Sequence, residues 1–235
     1  MQKLAGLVLV IFSFSGLTAT LEVLENAKYA GFYGMRIQHD GTTPGYVQDD
    51  SPIAETRYRA RFYLRLNNIN IADGQSFELF SGFNSSNTKQ FILNIIRSGS
   101  TLYLQSSVLV NTGSYQETPL LQSPVINDGW HAIEIDWKAD SIEGHLNIWF
   151  DGSLTTGISD LENDQSVIDY IRLGAPSGVP AGSSGSHDFD LFESRRINYI
   201  GLECYTQQEI LSAIHSWRPT YSIADLVQWL NAECP

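Results

Sequence analysis

The sequence is poor in cysteine, in basic residues and in long apolar runs. Its 235 residues include two Cys, two Met and 14 basic side chains against 26 acidic ones. An acidic protein repels phosphate backbones, so this charge balance argues against nucleic acid as a partner. Beyond the first 20 residues no apolar run approaches the roughly 20 residues that a membrane-spanning helix needs. No motif recurs at a fixed period, so neither a solenoid nor a propeller is expected.

The first 20 residues have the organisation of a secretory signal peptide. Lys3 is their one charged residue, residues 4–14 are almost wholly apolar, and small or polar residues lead to a cleavage point near Ala19 or Thr20. A membrane anchor is the alternative, but the apolar run is shorter than the roughly 20 residues of a spanning helix. We therefore expect a secreted protein, extracellular or periplasmic, with no membrane span after cleavage.

The two cysteines, Cys204 and Cys234, both lie near the C-terminus. In an exported protein an isolated pair is most simply a disulfide, with two free thiols as the alternative. Closing a loop of about 30 residues stabilises by roughly 3 to 4 kcal/mol in the chain-entropy model. Apolar residues at helical spacing predict two short helices, over 206–217 and from Ser222 onward. Residues 203–235 are therefore predicted to form a helical hairpin that caps the main domain or docks another protein.

The residues between these two ends alternate in the manner of β-strands. Apolar and polar side chains alternate over residues 130–137 and again over 146–150, and Asp151-Gly152 supplies a tight turn, which predicts a β-hairpin at the centre of a sheet. Residues 57–66 carry apolar side chains on one face and mostly arginines on the other, predicting one buried and one exposed face. The remaining predicted strands are 29–38, 46–48, 77–80, 91–97, 101–106, 169–173 and 188–193. Many short strands without a long helix predict an all-β sandwich or barrel.

The hairpin also carries a recognisable pattern, from Gly129-Trp130-His131 at its start to Phe150-Asp151-Gly152 at its end. Further matching stretches are 46–50, 58–63, 79–82, 171–175 and 189–196. With these motifs the chain resembles laminin-G-like members of the concanavalin A-like lectin/glucanase superfamily, of the secreted bacterial type, over roughly residues 22–202. The resemblance implies a jelly roll of two curved antiparallel sheets in a domain spanning 21–202, with the helical tail outside it.

Two carboxylates of the hairpin, Glu134 and Asp136, are weak candidates for catalysis. On a strand they share a face about 7 Å apart. Some glucanases of the superfamily carry Glu-x-Asp-x-Glu there, and retaining hydrolysis needs two carboxyl groups. Here Lys138 stands at the third position and cannot replace the carboxylic acid. A strand face that is solvated or paired with arginines is the alternative, and no nucleophile elbow or histidine spacing supports another mechanism.

Calcium is a candidate cofactor, because sandwiches of this superfamily often bind it and it takes six to eight oxygen ligands. The candidate ligands are Asp49, Asp50, Asp188 and Asp190, provided that the first and last strands lie close together. Carboxylates that cap loops are the alternative, since no Asp-x-Asp-x-Asp-Gly loop is present.

A sugar site needs an aromatic platform with planar polar groups beside it. Trp149 shares its predicted strand face with Asn147, opposite the apolar side chains of the same strand. Asn94, Gln105 and Arg97 join this set if their strands are neighbours, and a loop or the tail covering Trp149 is the alternative.

These observations favour a secreted, non-catalytic module that binds a polysaccharide or a surface glycan, with calcium as a possible aid. A structural or adhesion protein that contacts other proteins, in part through the C-terminal helices, is the second hypothesis. A variant polysaccharide hydrolase or lyase is the third.

Overall fold

The computed structural model describes residues 20–39, 42–119 and 129–201, which form two antiparallel β-sheets. The strands are β1 (Thr20–Leu24), β2 (Gly34–Gln38), β3 (Gly45–Asp49), β4 (Arg57–Asn70), β5 (Ser76–Phe83), β6 (Lys89–Ser98), β7 (Thr101–Leu109), β8 (Tyr115–Glu117), β9 (Trp130–Lys138), β10 (Gly144–Phe150), β11 (Ser153–Leu161), β12 (Tyr170–Ala175) and β13 (Ser184–Arg195). One turn of 3₁₀ helix, Glu25–Ala27, follows β1.

The strands divide between a seven-stranded and a six-stranded sheet. The seven-stranded sheet has the order β1-β2-β13-β4-β9-β10-β11, and the six-stranded sheet has the order β3-β12-β5-β6-β7-β8. One side of each sheet contributes to a single apolar core, in which Phe62, Phe80, Phe91 and Trp137 are fully buried. The prediction of a two-sheet antiparallel sandwich is confirmed for the described residues.

The predicted hairpin is present as β9 and β10, with Ile135 opposite Ile148. It lies to one side of the sheet's centre, because four strands lie beyond β9 and only β11 lies beyond β10. The sequence prediction missed β11, whose buried and exposed residues do not alternate strictly, and also missed β1. Both are edge strands of the sheet, and an edge strand buries fewer side chains than a central one and so shows a weaker pattern.

Several predictions fall on residues that the structure does not describe. The body of the signal peptide, the two C-terminal helices and the pairing of Cys204 with Cys234 lie outside the described ranges and stay predictions. Within those ranges, no helix has the length and apolar character needed to cross a membrane.

The predicted exposed face of β4 is wrong. Arg59 and Arg61 are only 8% and 3% exposed, although they point away from the apolar core. A guanidinium is rarely buried unless it is paired, so the outward side of this sheet must supply partners for these arginines.

Candidate functional site

The outward side of the seven-stranded sheet, which we call the closed face, pairs arginines of β4 with carboxylates of β9. Arg59 is opposite Asp136, and Arg61 is opposite Glu134. Asp136 accepts hydrogen bonds from Arg57 at 3.0 Å and Arg59 at 2.5 Å, and its Oδ2 lies 3.3 Å from Nε2 of His145. Burial alone would raise the pKa of Asp136, but His145 and the two arginines together hold the pKa below its ordinary value.

Glu134 is hydrogen-bonded to the backbone that follows the last strand. Its two carboxylate oxygens accept hydrogen bonds from the backbone N–H groups of Ile200 and Gly201, both at 2.9 Å. Arg61 donates to the carbonyl of Gly201 at 3.0 Å. Both the N–H and the C=O group of Gly201 are therefore hydrogen-bonded to side chains of the sheet. Glu134 is 3% exposed and Asp136 is 2% exposed. Both carboxylates are buried and paired within the described residues, which indicates a structural role for both.

Trp149 lies on the same face and is covered from two directions. The guanidinium of Arg59 lies 5.6 Å from its ring centre, and the ring of Tyr199 lies 5.5 Å away. The small space between Trp149, Glu134, Tyr199 and Gly201 has no room for a water molecule. Trp149 is half-buried, and its contacts with Arg59 and Tyr199 leave only part of its ring accessible to a sugar.

The predicted ligand-binding residues are divided between the two sheets. Trp149 and Asn147 lie on β10 of the seven-stranded sheet, whereas Asn94, Gln105 and Arg97 lie on β6 and β7 of the six-stranded sheet. Arg97 is used at the end of β6, where it donates to Asn70 and to the carbonyls of Ile71 and Gly99. Trp149 and Asn147 share one face of β10, and Asn94 and Gln105 form a directly opposed pair on the other sheet.

The predicted calcium ligands do not form one site. Asp188 is fully buried between Arg36 and Arg65, at 2.7 and 2.6 Å. Burial would raise the pKa of Asp188, but hydrogen bonds from these arginines and from Asn67 lower the pKa below its usual value. Asp50 is exposed and accepts a hydrogen bond from Gln48.

The other two carboxylates, Asp49 and Asp190, line one cleft between the sheets, and each is already hydrogen-bonded. Asp49 accepts the N–H and hydroxyl of Ser51, and Asp190 accepts the N–H groups of Tyr29 and Ala30. Across the described ranges, no three His, Cys, Asp or Glu side chains are grouped as a metal would require. The four predicted ligands therefore do not fit a calcium ion as a set.

The same cleft is mostly apolar. It has a volume of about 340 Å³, and its wall includes Val23, Tyr33 and Val47, which are 65%, 64% and 40% exposed. Such a lining suits an apolar surface better than the hydroxyl groups of a sugar.

The outward side of the six-stranded sheet, which we call the open face, has a different composition. Its side chains alternate with core residues such as Leu93 and Leu173 and therefore point away from the core. One continuous row crosses five neighbouring strands through Gln48, Arg172, Ser81, Ile92 and Ser107. A second row, about 7 Å further along the strands, consists of Glu78, Asn94 and Gln105.

Glu78 and Asn94 of the second row line a cleft of about 360 Å³, and residues 177–180 form its opposite wall. Glu78, on its floor, is 5% exposed and is held by Lys89 and by the hydroxyls of Ser81 and Ser177. Asn94 is half-buried, and its side-chain amide makes no hydrogen bond to any described residue. An amide in this state can donate to and accept from a ligand in the cleft.

Aromatic rings continue the open face beyond the first row. Phe83 and Tyr170 stack with ring centres 4.9 Å apart, and Tyr46 lies on the neighbouring strand β3, opposite Gly174. Arg172 lies over all three rings. Sequence reasoning missed this cluster because its members come from β3, β5 and β12, which are far apart in the chain. The alternation of Tyr170 and Arg172 with Ile171 and Leu173 was the available signal.

Comparisons with known proteins bear on the fold. No protein-family model and no curated protein matches the sequence. Similar solved structures include Cellulose induced protein, Cip1, at 14% identity and a TM-score of 0.56, covering 81% of this chain and 91% of that one. A carbohydrate esterase from the Shiga toxin-encoding bacteriophage phi24B matches at 10% identity and a TM-score of 0.53, covering 77% of this chain and 88% of that one.

Botulinum neurotoxin type C, whose cell entry depends upon interaction with two ganglioside molecules, matches at 15% identity and a TM-score of 0.51. The match covers 79% of this chain and 45% of the neurotoxin chain, so this protein spans under half of that chain's length. At these identities the likeness shows a shared all-β sandwich and nothing finer.

Proposed function

We propose that this protein is an exported, non-catalytic glycan-binding module whose ligand lies on the open face. We place it in the concanavalin A-like lectin/glucanase superfamily, with a jelly-roll topology. The observation that carries the proposal is the cleft lined by Glu78 and Asn94, which adjoins the mostly polar first row and an aromatic cluster on one sheet side.

The chemistry of this face suits a sugar. Sugars present hydroxyl groups around an apolar ring face, so their sites combine a few placed polar groups with aromatic side chains. Asn94 supplies an amide with no hydrogen bond to a described residue, and Tyr46 and Tyr170 supply half-buried rings. The face crosses six strands, a width of about 24 Å at the usual strand spacing. That width is enough for an oligosaccharide rather than a single sugar.

The solved structures of similar fold support the proposal without deciding it. One of them is of a botulinum neurotoxin DC binding domain in complex with SialylT. Export rests on the predicted signal peptide alone.

A glycan array probed with the purified protein tests the proposal. We expect the protein to bind at least one class of oligosaccharide. If no glycan on the array binds, the proposal is contradicted. Repeating the array with calcium and with a chelator tests the calcium hypothesis separately. Because the four predicted ligands do not fit as a set, we expect the same glycans to bind in both conditions.

Two matched substitutions locate the site. Asn94→Ala removes an open-face amide, and we expect the affinity for the best array ligand to fall about tenfold, or about 1.4 kcal/mol. Asn147→Ala removes the same group from the closed face, and we expect the affinity to stay unchanged. A loss in Asn147→Ala alone would move the site to the seven-stranded sheet.

The exposed apolar cleft between the sheets favours a second candidate, an adhesion protein that contacts another protein there. Val23→Ser with Val47→Ser would weaken that contact while leaving glycan binding intact. Reducing-sugar release from β-glucans tests the hydrolase hypothesis. Release that disappears in Glu134→Gln would overturn the structural role of Glu134.

A further inference from the structure

Arg172 differs from the other arginines that the structure describes. Seven of them form ion pairs with carboxylates within 4 Å: Arg36, Arg57, Arg59, Arg61, Arg65, Arg195 and Arg196. Arg97 donates to the Asn70 amide oxygen and to backbone carbonyls. Arg172 makes one hydrogen bond to a described residue, from Nε to Gln48. Its two terminal nitrogens have no partner within the described part of the chain.

The absence of a carboxylate partner matters because this protein has 26 acidic side chains and only 14 basic ones. An arginine with so many acidic residues available would ordinarily be paired within the fold. The guanidinium of Arg172 is instead half-buried on the open face, and its two terminal nitrogens donate to none of the residues that the structure describes.

Three aromatic rings hold this guanidinium in place. Its central carbon lies 4.5 Å from the ring centre of Tyr46, 4.8 Å from Phe83 and 5.3 Å from Tyr170. Such contacts stabilise the cation without using its N–H groups. The side chain is therefore ordered before any ligand arrives, which reduces the entropy lost on binding.

A hydrogen-bond chain also sets the orientation of Arg172. The amide nitrogen of Gln48 donates to Asp50 at 2.7 Å, which turns its oxygen toward Nε of Arg172 at 2.8 Å. The chain uses Nε and leaves the two terminal nitrogens to act together. Two parallel N–H donors match the two oxygens of a carboxylate.

We infer that Arg172 is the carboxylate-binding residue of the open face, and that the glycan bound there contains acidic sugars. This inference rests on the proposed function, since it names the class of glycan for the same face. Uronic acids and sialic acids share the required carboxylate. Asn94 lies two strands from Arg172 and one row further along, or about 12 Å at the usual spacings. It then binds another sugar of the same glycan through its hydroxyl groups.

Paired probes test this inference. Calorimetry compares tetragalacturonate with the same tetramer after its carboxylates have been reduced to alcohols, and sialyllactose with lactose. We expect one acidic member to bind at least about tenfold more tightly than its neutral partner, with a preference that weakens as salt is raised. The acidic probe that binds distinguishes uronate from sialate.

Three variants assign the preference to Arg172. Arg172→Gln should lower the affinity for the acidic probe to that for its neutral partner, and Arg172→Lys should retain part of the preference. Arg195→Gln, an exposed arginine of the other sheet, should have no effect. If the circular dichroism spectrum of Arg172→Gln differs from that of the wild type, that variant is misfolded and Arg172→Lys is used in its place. Lysine keeps the positive charge but lacks the two parallel N–H donors of the guanidinium.

The outcomes separate this inference from the proposed function. Equal binding of acidic and neutral members, or a preference that survives in Arg172→Gln, overturns the acidic-sugar inference and leaves glycan binding intact. If no glycan on the array and no probe binds, the proposed function fails and the inference fails with it.

Discussion

The two outward faces of this sandwich use polar residues in opposite ways. On the closed face, Asp136 and Glu134 are almost fully buried and satisfied by arginines, by His145 or by backbone N–H groups. On the open face, Asn94 and the terminal nitrogens of Arg172 have no partner among the described residues. The same strand alternation produced both faces. A row of polar side chains on a strand therefore indicates a binding surface only when its groups are not paired with one another.

The largest effect is expected at the centre of the closed face. Asp136→Ala removes the partner of Arg57 and Arg59, and leaving a buried charge unpaired costs about 3 to 5 kcal/mol. Urea unfolding measures the change. Glu143→Ala, an exposed carboxylate that pairs with Lys138, should change stability by less than about 0.5 kcal/mol. Similar effects of the two variants would show that the closed face is not a buried ion-pair network.

A second effect is expected from pH at the joint of β2 and β13. His39 and His187 are both buried, with their facing ring nitrogens 2.6 Å apart. Burial, and then the charge of His39, hold the pKa of His187 well below 6.5. Only the unfolded chain therefore takes up this proton as the pH falls through about 6.5. Stability is complete above that pH and decreases by about 1.4 kcal/mol per pH unit below it.

Unfolding of the wild type and of His187→Gln between about pH 8 and pH 5 measures this contribution. Below about pH 6.5, the free energy of unfolding of the variant should depend less steeply on pH, by the uptake of about one proton on unfolding. An unchanged slope in the variant would place the pH dependence elsewhere.

A smaller, local effect is expected at Glu134. Glu134→Gln keeps one acceptor for Ile200 or Gly201 but loses the second and the charge near Arg59, for about 1 to 2 kcal/mol. Hydrogen exchange at these two amides should become about tenfold faster. Glu117→Gln, at the exposed edge of the open face, is the matched control. Unchanged protection at Ile200 and Gly201 would mean that Glu134 does not hold residues 199–201.

The smallest effect on stability is expected on the open face. Asn94→Ala removes an amide that makes no hydrogen bond to a described residue, so stability should change by about 0.5 kcal/mol or less. Arg172→Gln also loses the contacts with three rings and the hydrogen bond to Gln48, and should cost about 1 kcal/mol. Thermal unfolding beside the binding assays measures both quantities. A large loss of stability without loss of binding would give these residues a structural role instead.

The strand pattern of the sequence predicted much of the fold and little of the site. Strict alternation over 57–66 and 130–137 identified β4 and β9, because both bury an apolar face. Alternation cannot show what covers the other face, so Arg59 was expected in solvent and Trp149 was considered for a sugar. Nor can it show which strands are neighbours. Asn94 and Gln105 were therefore grouped with Trp149, and the contact of Arg172 with Tyr46 and Phe83 was missed.

The central claim is that the glycan lies on the open face and not on the closed face. Hydroxyl-radical footprinting with and without the best array ligand tests it directly, since both faces carry reactive aromatic side chains. We predict that the glycan protects Tyr46 and Tyr170 while Trp149 and Tyr199 react as before. Protection of Trp149 and Tyr199, with Tyr46 and Tyr170 unchanged, would contradict the claim.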